Sequence, residues 1–401
     1  MISRTNLSSI DSAMVMGILH PSEGRNNLWN RNFSYLAVAN LLLHAAVYML
    51  FPVFHHWMVR QWHCSDLYAG GVTAVFGISL FLPGLFNNYL VDTYKRQTVC
   101  IRSILILALV TLAYPYVEHF HTLWLLWMIQ GVVFAIALMA TGSTLVIDVT
   151  PSQKRNQANT CFTWAGIFGM MSGLIGGYYA ESLISFPQLT YVSTLLAIIA
   201  ILLISMVSVS FRAPLELPLL SFDRFLLFRS LGPGVNMMAV PFVLGIVFGT
   251  IYDSFFYLCI TGGVICFLLL KATVAVDGRL LVALGQILTG AGLLVLYFSD
   301  AGIHLWGAGF LIGLGAAASI SQFLFVMIQL PLHCERGTGY HTYQLLWELG
   351  ILLGVMSGKW ATASLSGNPF IVALVACLAG LIVYQLAVHR YYRRQMEQRK
   401  I

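Results

Sequence analysis

The chain has 401 residues, 59% of them hydrophobic and only 9% charged, against about 25% charged in ordinary soluble domains. With a mean hydropathy of +0.82, too few polar side chains remain to cover a fold of this size against water, which excludes a soluble globular protein. The net charge of +6 is spread over short segments between apolar runs, a distribution that reads as membrane topology and excludes a nucleic-acid surface.

A helix crossing the hydrocarbon layer needs about 20 mainly apolar residues. Twelve such runs are predicted, at roughly 33–57, 68–91, 98–117, 122–147, 159–181, 189–210, 234–252, 254–275, 279–298, 303–328, 341–362 and 369–389. The first 30 or so residues lack the basic-then-apolar order and cleavage site of a secretory signal, so no leader is expected to be removed. With both termini on one side, all of the 21 Lys and Arg except Arg60 and Lys359 fall on that side. Positive residues in short loops stay cytoplasmic, so the span count and a cytoplasmic location of both termini support each other. The division expected is a tail over 1–32, six helices over 33–210, a linker over 211–233 carrying Pro214, Pro218 and Pro233, six helices over 234–389, and a basic tail over 390–401. The expected setting is the bacterial inner membrane.

The first span places Asn40, His44 and Tyr48 at intervals of four, hence on one helix face, with His44 near mid-membrane. Asn87 and Asn88 close the second span, followed by Asp92, Lys95 and Arg96 in the short loop. The fourth ends at Asp148-Val-Thr-Pro151 with Arg155 beyond. The fifth holds Trp164 and a row of glycines, Gly166, Gly169, Gly173, Gly176 and Gly177, whose spacing leaves a flat stripe for close helix approach. In the second half come Asn236, a tight turn at Tyr252-Asp253-Ser254 separating spans seven and eight, Tyr257, and Lys271 with Asp277-Gly-Arg279. Gln322 and Gln329 share a face of the tenth span, and Pro331 and Arg336 follow it. In the eleventh, His341, Gln344 and Glu348 recur at three and four with Trp347 adjacent, and Glu348 lies mid-span.

Loops in the two halves echo one another. Asp92 to Arg96 after span two answers Lys271 to Arg279 after span eight, and Asp148 to Arg155 after span four answers Pro331 to Arg336 after span ten. Such repeats mark transporters assembled from duplicated bundles. Here the chain resembles the major facilitator superfamily over essentially its whole length. Asn88-Tyr-Leu90-Val-Asp92-Thr-Tyr-Lys95-Arg96-Gln97 is similar to that family's Gly-x-Leu-x-Asp-Arg-x-Gly-Arg-Lys signature, with Asn88 and Lys95 in place of glycines and Thr93 in place of an arginine. The resemblance implies an all-α fold of two pseudo-symmetric six-helix bundles around a central cavity. It also implies that Asp92, Lys95, Arg96, Asp148, Arg155 and Arg336 act at a cytoplasmic gate. The glycine row of span five resembles that of the family's drug and metabolite exporters, although Ser172-Gly173 stands where they carry Gly-Pro. Their arginine before a Gln-Gly pair in span four is absent, Trp127 standing three residues before Gln130-Gly131.

Ionisable groups in mid-membrane are costly and mark function. Glu348 is therefore read as a proton-coupling carboxylate and His44 as its relay or partner, with a plain His–Glu fastening of spans one and eleven as the alternative. Asn40, Tyr48, His341, Gln344, Trp347, Gln322, Gln329, Asn236, Tyr257, Trp164, Asn87 and Asn88 are the further candidates for a substrate cavity. The function expected is proton-coupled efflux of a small organic or amphipathic solute by alternating access. An importer on the same fold is the nearest alternative, and a membrane receptor or polytopic membrane enzyme comes from other classes. No Gly-x-x-x-x-Gly-Lys-Ser/Thr or carboxylate pair of a membrane transferase occurs, so no enzyme activity and no cofactor are expected beyond a proton gradient. No metal is expected either: His55, His56, His63, His119, His121 and His304 gather near the outer face without ligand spacing, and the seven cysteines are scattered singly. The partners expected are the solute and the bilayer, with the chain acting as a monomer.

Overall fold

The computed structural model describes residues 27–209, 218–222, 224–273, 276–299, 301–332, 335–364 and 368–399. Most of the expected tail over 1–32, Pro214 and Arg212 of the linker, Cys334 and the last two residues lie outside these. Among the described residues there are twelve helical rods and no strand. They are α1 (Arg31–Trp62), α2 (Tyr68–Thr93), α3 (Arg96–Tyr116), α4 (Phe120–Val149), α5 (Arg155–Glu181), α6 (Phe186–Ser205), α7 (Phe228–Met237 with Ala239–Thr250), α8 (Ser254–Thr273), α9 (Gly278–Phe298), α10 (Gly302–Gln329), α11 (Arg336–Ser364) and α12 (Pro369–Gln398).

Nine of these are long and apolar enough to cross a membrane, ten with the two pieces of α7 taken as one span. The two outside that set, α5 and α11, carry the glycine rows and the polar residues that lower their hydropathy. The tight turn at Tyr252 is present, and Asp253 caps α8 by accepting from the Phe256 amide at 2.9 Å. α12 runs past the expected end at 389, through a π-helical turn over Tyr384–Val388, to Gln398, so the basic residues after 389 continue a helix.

Three rods break, and each break has the same cause. The regular helix stops at Tyr48 in α1, Ser79 in α2 and Met237 in α7, four residues before Pro52, Pro83 and Pro241. A proline lacks the N–H that would bond the carbonyl four residues back, and its ring crowds that carbonyl. In α7 the two pieces meet at 42°.

Packing repeats with a period of six rods. α1 lies against α5 and α6, α3 against α4 and α6, and α2 against α4; likewise α7 lies against α11 and α12, α9 against α10 and α12, and α8 against α10. The two sets meet where α2 touches α11 and α5 touches α8. Close approach within each set rests on missing side chains. A Cβ on Gly169 or Gly177 would strike the α1 backbone at Leu41 or Met49, and one on Gly173 would lie 2.7 Å from the Ala45 carbonyl oxygen. Gly176 meets only Met49 Cε at 3.9 Å. The second half has an equivalent row that the sequence reading passed over: Gly350, Gly354 and Gly358 of α11 face α7, Gly354 against Gly245. Large apolar side chains stand exposed on the outer rods, among them Leu109, Leu195, Ile287 and Val375, as a lipid-facing surface requires.

Candidate functional site

Glu348 is buried where the two sets of rods meet. Its carboxyl comes from α11, and the groups that address it come from α1. Tyr48 donates its hydroxyl proton to Glu348 Oε2, and His44 Nε2 lies 3.8 Å from Oε1. His44 Nδ1 is 2.9 Å from the Asn40 carbonyl oxygen. A carbonyl only accepts, so Nδ1 carries a hydrogen and the remaining nitrogen of the neutral ring faces the carboxyl with a lone pair. One proton therefore belongs between Glu348 and His44, as a neutral acid beside a neutral ring or as a carboxylate beside an imidazolium. Stripped of that proton, the carboxylate has, among the described residues, Tyr48 as its one hydrogen-bond donor and no cation, an arrangement costing several kcal/mol in a buried site.

Glu348, His44, Asn40, Gln344, Trp347 and Gly166 line a central cavity together with Thr163, Tyr340, Tyr343, Leu138, Ile167 and Met170. Its volume of about 20 Å³ holds a water or so, and a bulky solute has no room in this conformation. Gly166 is part of the wall because a Cβ there would sit 3.0 Å from Asn40 Nδ2 and 3.1 Å from the His44 ring. On α4, Met139–Leu145 winds as a π-helix beside the cavity, a local unwinding common at functional sites. Gly142 within it makes room for the Tyr340 ring and the Gln344 amide.

Both ends of the passage are shut. Toward the arginine-rich end, Asn87 of α2 and His341 of α11 join through Nδ2 and Nε2 at 3.0 Å, and Thr163 of α5 meets the Tyr340 hydroxyl at 3.0 Å. Beyond them Asp92 takes Arg96 and Arg224, each at 3.1 Å, and Arg96 also holds Asp148 at 2.6 Å. Arg224 belongs to the linker between the halves, whose described residues from Ser221 on lie across this end. Ser221 N donates to Leu85 O, Leu227 N donates to Thr342 Oγ1, both at 2.9 Å, and the Phe225 ring fills the space a Cβ on Gly84 would need. Arg224 itself has φ of 62°, a left-handed conformation costing a non-glycine residue roughly 1–2 kcal/mol, so its contacts must hold it there. Burial pulls its guanidinium below the ordinary value, and Asp92 beside it works the other way.

Outside this latch a vestibule of about 850 Å³ is lined by Arg155, Arg336 and Asn88 among others. Arg155 and Arg336 thus face open space, and Asp148 is taken by Arg96. Lys95 is exposed. At the opposite end Tyr178 of α5 stacks on Tyr257 of α8, with centroids 5.0 Å apart, and donates to Phe248 O of α7 at 3.0 Å. Lys359 donates to the Tyr252 hydroxyl at 2.6 Å, and His56 meets Glu181 at 2.9 Å.

The structure therefore gathers His44, Glu348, Asn40, Gln344, Trp347 and Tyr48 at one centre, with His341 and Asn87 one layer toward the arginine-rich end and Tyr257 in the opposite closure. Others point elsewhere. Asn236 donates to Gly380 O at 3.0 Å and ties α7 to α12. Gln329 accepts from Tyr392, and Gln322 lines a separate recess with Lys271 and Arg393 at the side of α10. Trp164 is buried beside Phe168. Sequence reasoning passed over Thr163, Tyr340 and Tyr343. For Tyr340 the signal was its place four and eight residues before Gln344 and Glu348, on the same helix face. Among the described residues no group of three or more His, Cys, Asp or Glu is placed to hold a metal.

The family model described as Major Facilitator Superfamily matches residues 36–270 of the chain. The chain is similar in fold to the crystal structure of the human organic anion transporter MFSD10 (TETRAN), with a TM-score of 0.64 and 14% identity over 88% of this chain and 99% of that one. A search of curated proteins finds no match.

Proposed function

Because the chain belongs to the major facilitator superfamily, we propose that this multi-pass membrane transporter exports a small organic, amphipathic solute in exchange for protons by alternating access. The family consists of transporters, and the chain is not an enzyme. One observation carries the proton reading: the Glu348 carboxyl of one half is buried against His44 and Tyr48 of the other, at the level where the passage is closed on both sides. A bare carboxylate in the closed cavity costs several kcal/mol. The closed states through which the halves pass therefore form with a proton on the pair or with a solute that replaces it, and not with neither. That restriction makes each crossing an exchange.

The arginine bias favours a cytoplasmic arginine-rich end, so the latch of Asp92, Arg96 and Arg224 closes the inner gate and Tyr178, Tyr257, Tyr252 and Lys359 close the outer one. Twelve crossings, cytoplasmic termini and action as a monomer belong to this reading. The bacterial inner membrane is the proposed setting; the bias itself bears only on which end faces the cytoplasm. Inverted vesicles test direction and coupling together. An acid interior should drive uptake of a transported solute, and collapse of the gradient by a protonophore should abolish it; uptake indifferent to the gradient would remove antiport.

A further inference from the structure

We infer that the central cavity selects solutes carrying a protonated primary or secondary amine on an apolar body; this rests on the cavity being the transport site. Asn40 is almost wholly buried, and its Nδ2 donates to Phe162 O at 2.8 Å. That contact fixes the amide orientation, so Asn40 Oδ1 can only accept, and it has no partner. Gln344, in the same wall, has its Oε1 buried without a partner, and with no contact fixing its amide it can turn that oxygen to a ligand. Buried acceptors left unpaired cost free energy that a donor on a ligand or water recovers. Beside them stands the Glu348 carboxyl, and among the described residues no Lys or Arg lines this cavity.

The remaining wall is aromatic. Tyr343 and Trp347 lie with ring centroids 6.2 Å apart and planes 22° off parallel, and Tyr340 and Tyr343 are arranged likewise at 6.2 Å and 24°. Ring faces attract cations and cover apolar groups. Two acceptors, one carboxyl and a row of rings match an ammonium N–H₃⁺ or N–H₂⁺ group with an apolar remainder, and they repel a carboxylate. Proton balance is simple: the ammonium enters with its own protons, the proton held between Glu348 and His44 leaves to water, and the negative charge of the carboxylate is balanced throughout, first by that proton and then by the ammonium.

Titration calorimetry on the detergent-solubilised full chain tests this with four probes of one body: 2-phenylethylamine, its N,N,N-trimethyl derivative, 2-phenylethanol and phenylacetate. The amine should bind about tenfold tighter than the alcohol, which lacks the charge, and about tenfold tighter than the trimethyl compound, which lacks N–H. Phenylacetate should give no heat. Asn40→Ala and, separately, Gln344→Leu should each narrow the gap between amine and trimethyl probe, with thermal unfolding confirming that each variant is folded. Equal binding of amine and trimethyl probe, tighter binding of phenylacetate, or no heat from the amine at millimolar concentration would overturn the inference. Amine binding without proton release would leave it standing and remove the coupling. Proton release evoked by phenylacetate alone would do the reverse.

Discussion

Replacing Glu348 with glutamine is expected to abolish proton release when a transported solute is added to the purified protein, while the fold survives. Glutamine keeps the volume. Its carbonyl oxygen still accepts from Tyr48, and its amide group faces the His44 ring across the 3.8 Å that separates it from the carboxyl, a donor toward a lone pair. What it cannot do is take up and give back a proton. Gradient-driven uptake should therefore fall to background, and exchange of solute for solute should persist, because a neutral side chain satisfies the closed cavity permanently. Measurement of pH change in weakly buffered solution separates the outcomes. Release from the glutamine variant equal to that of the native chain would remove Glu348 from coupling and leave the plain fastening of α1 to α11.

Asp92→Asn is the second large effect. One carboxylate holds both Arg96 and the linker's Arg224, and an amide accepts from them more weakly and balances no charge. The Arg224 contact is the one reaching the linker, and it is about one-third exposed on the arginine side. Discounted for that exposure, its loss weakens the inner closure by about 1–2 kcal/mol, or about tenfold in the population opened inward. Arg224 also loses the partner that holds its left-handed backbone. A cysteine placed at Thr163 in a cysteine-free chain should then react about tenfold faster with an impermeant thiol reagent applied from the inner face. An unchanged rate would mean that Phe225 in the Gly84 notch and the Asn87–His341 contact hold the gate without the ion pair.

Much of the fold was legible because lipid imposes a simple rule: apolar runs of about 20 residues become rods, and their ends fell within a few residues of expectation for most of them. α12 ran longer than expected because hydropathy registers where an apolar run ends and is blind to a helix that continues beyond it, as this one does through Tyr391, Tyr392 and Arg393. α5 and α11 failed the apolar test for the reason that makes them central, since glycines and polar groups on a helix inside a bundle face other protein. His44 and Glu348 were legible by the cost of charge in that setting. Gln329 and Asn236 were not placeable, because an amide satisfied by a neighbouring helix looks in sequence like one that faces a cavity, and Gln322 lines a recess at the side of α10 that only the fold reveals. Gly380 O and Tyr392 are the neighbours that decide it, and both are distant in sequence. Tyr340 and Tyr343 were passed over because aromatics in such a chain serve as packing and as interfacial anchors too often for their type alone to mark a site. The gate partners were read by residue type and not by geometry: Asp148 meets Arg96 across 52 positions, while Arg155, seven residues on, faces the vestibule.

Transport by alternating access requires a buried centre that each side of the membrane reaches in turn. The cysteine at Thr163, on the wall of that cavity and on no proton-bearing group, reads this in the otherwise native, cysteine-free chain reconstituted with known orientation. Labelling by an impermeant reagent should proceed from either face, and conditions that slow it from the inner face should speed it from the outer. Reaction from one face alone under every condition of pH and solute, or none from either, would contradict alternating access.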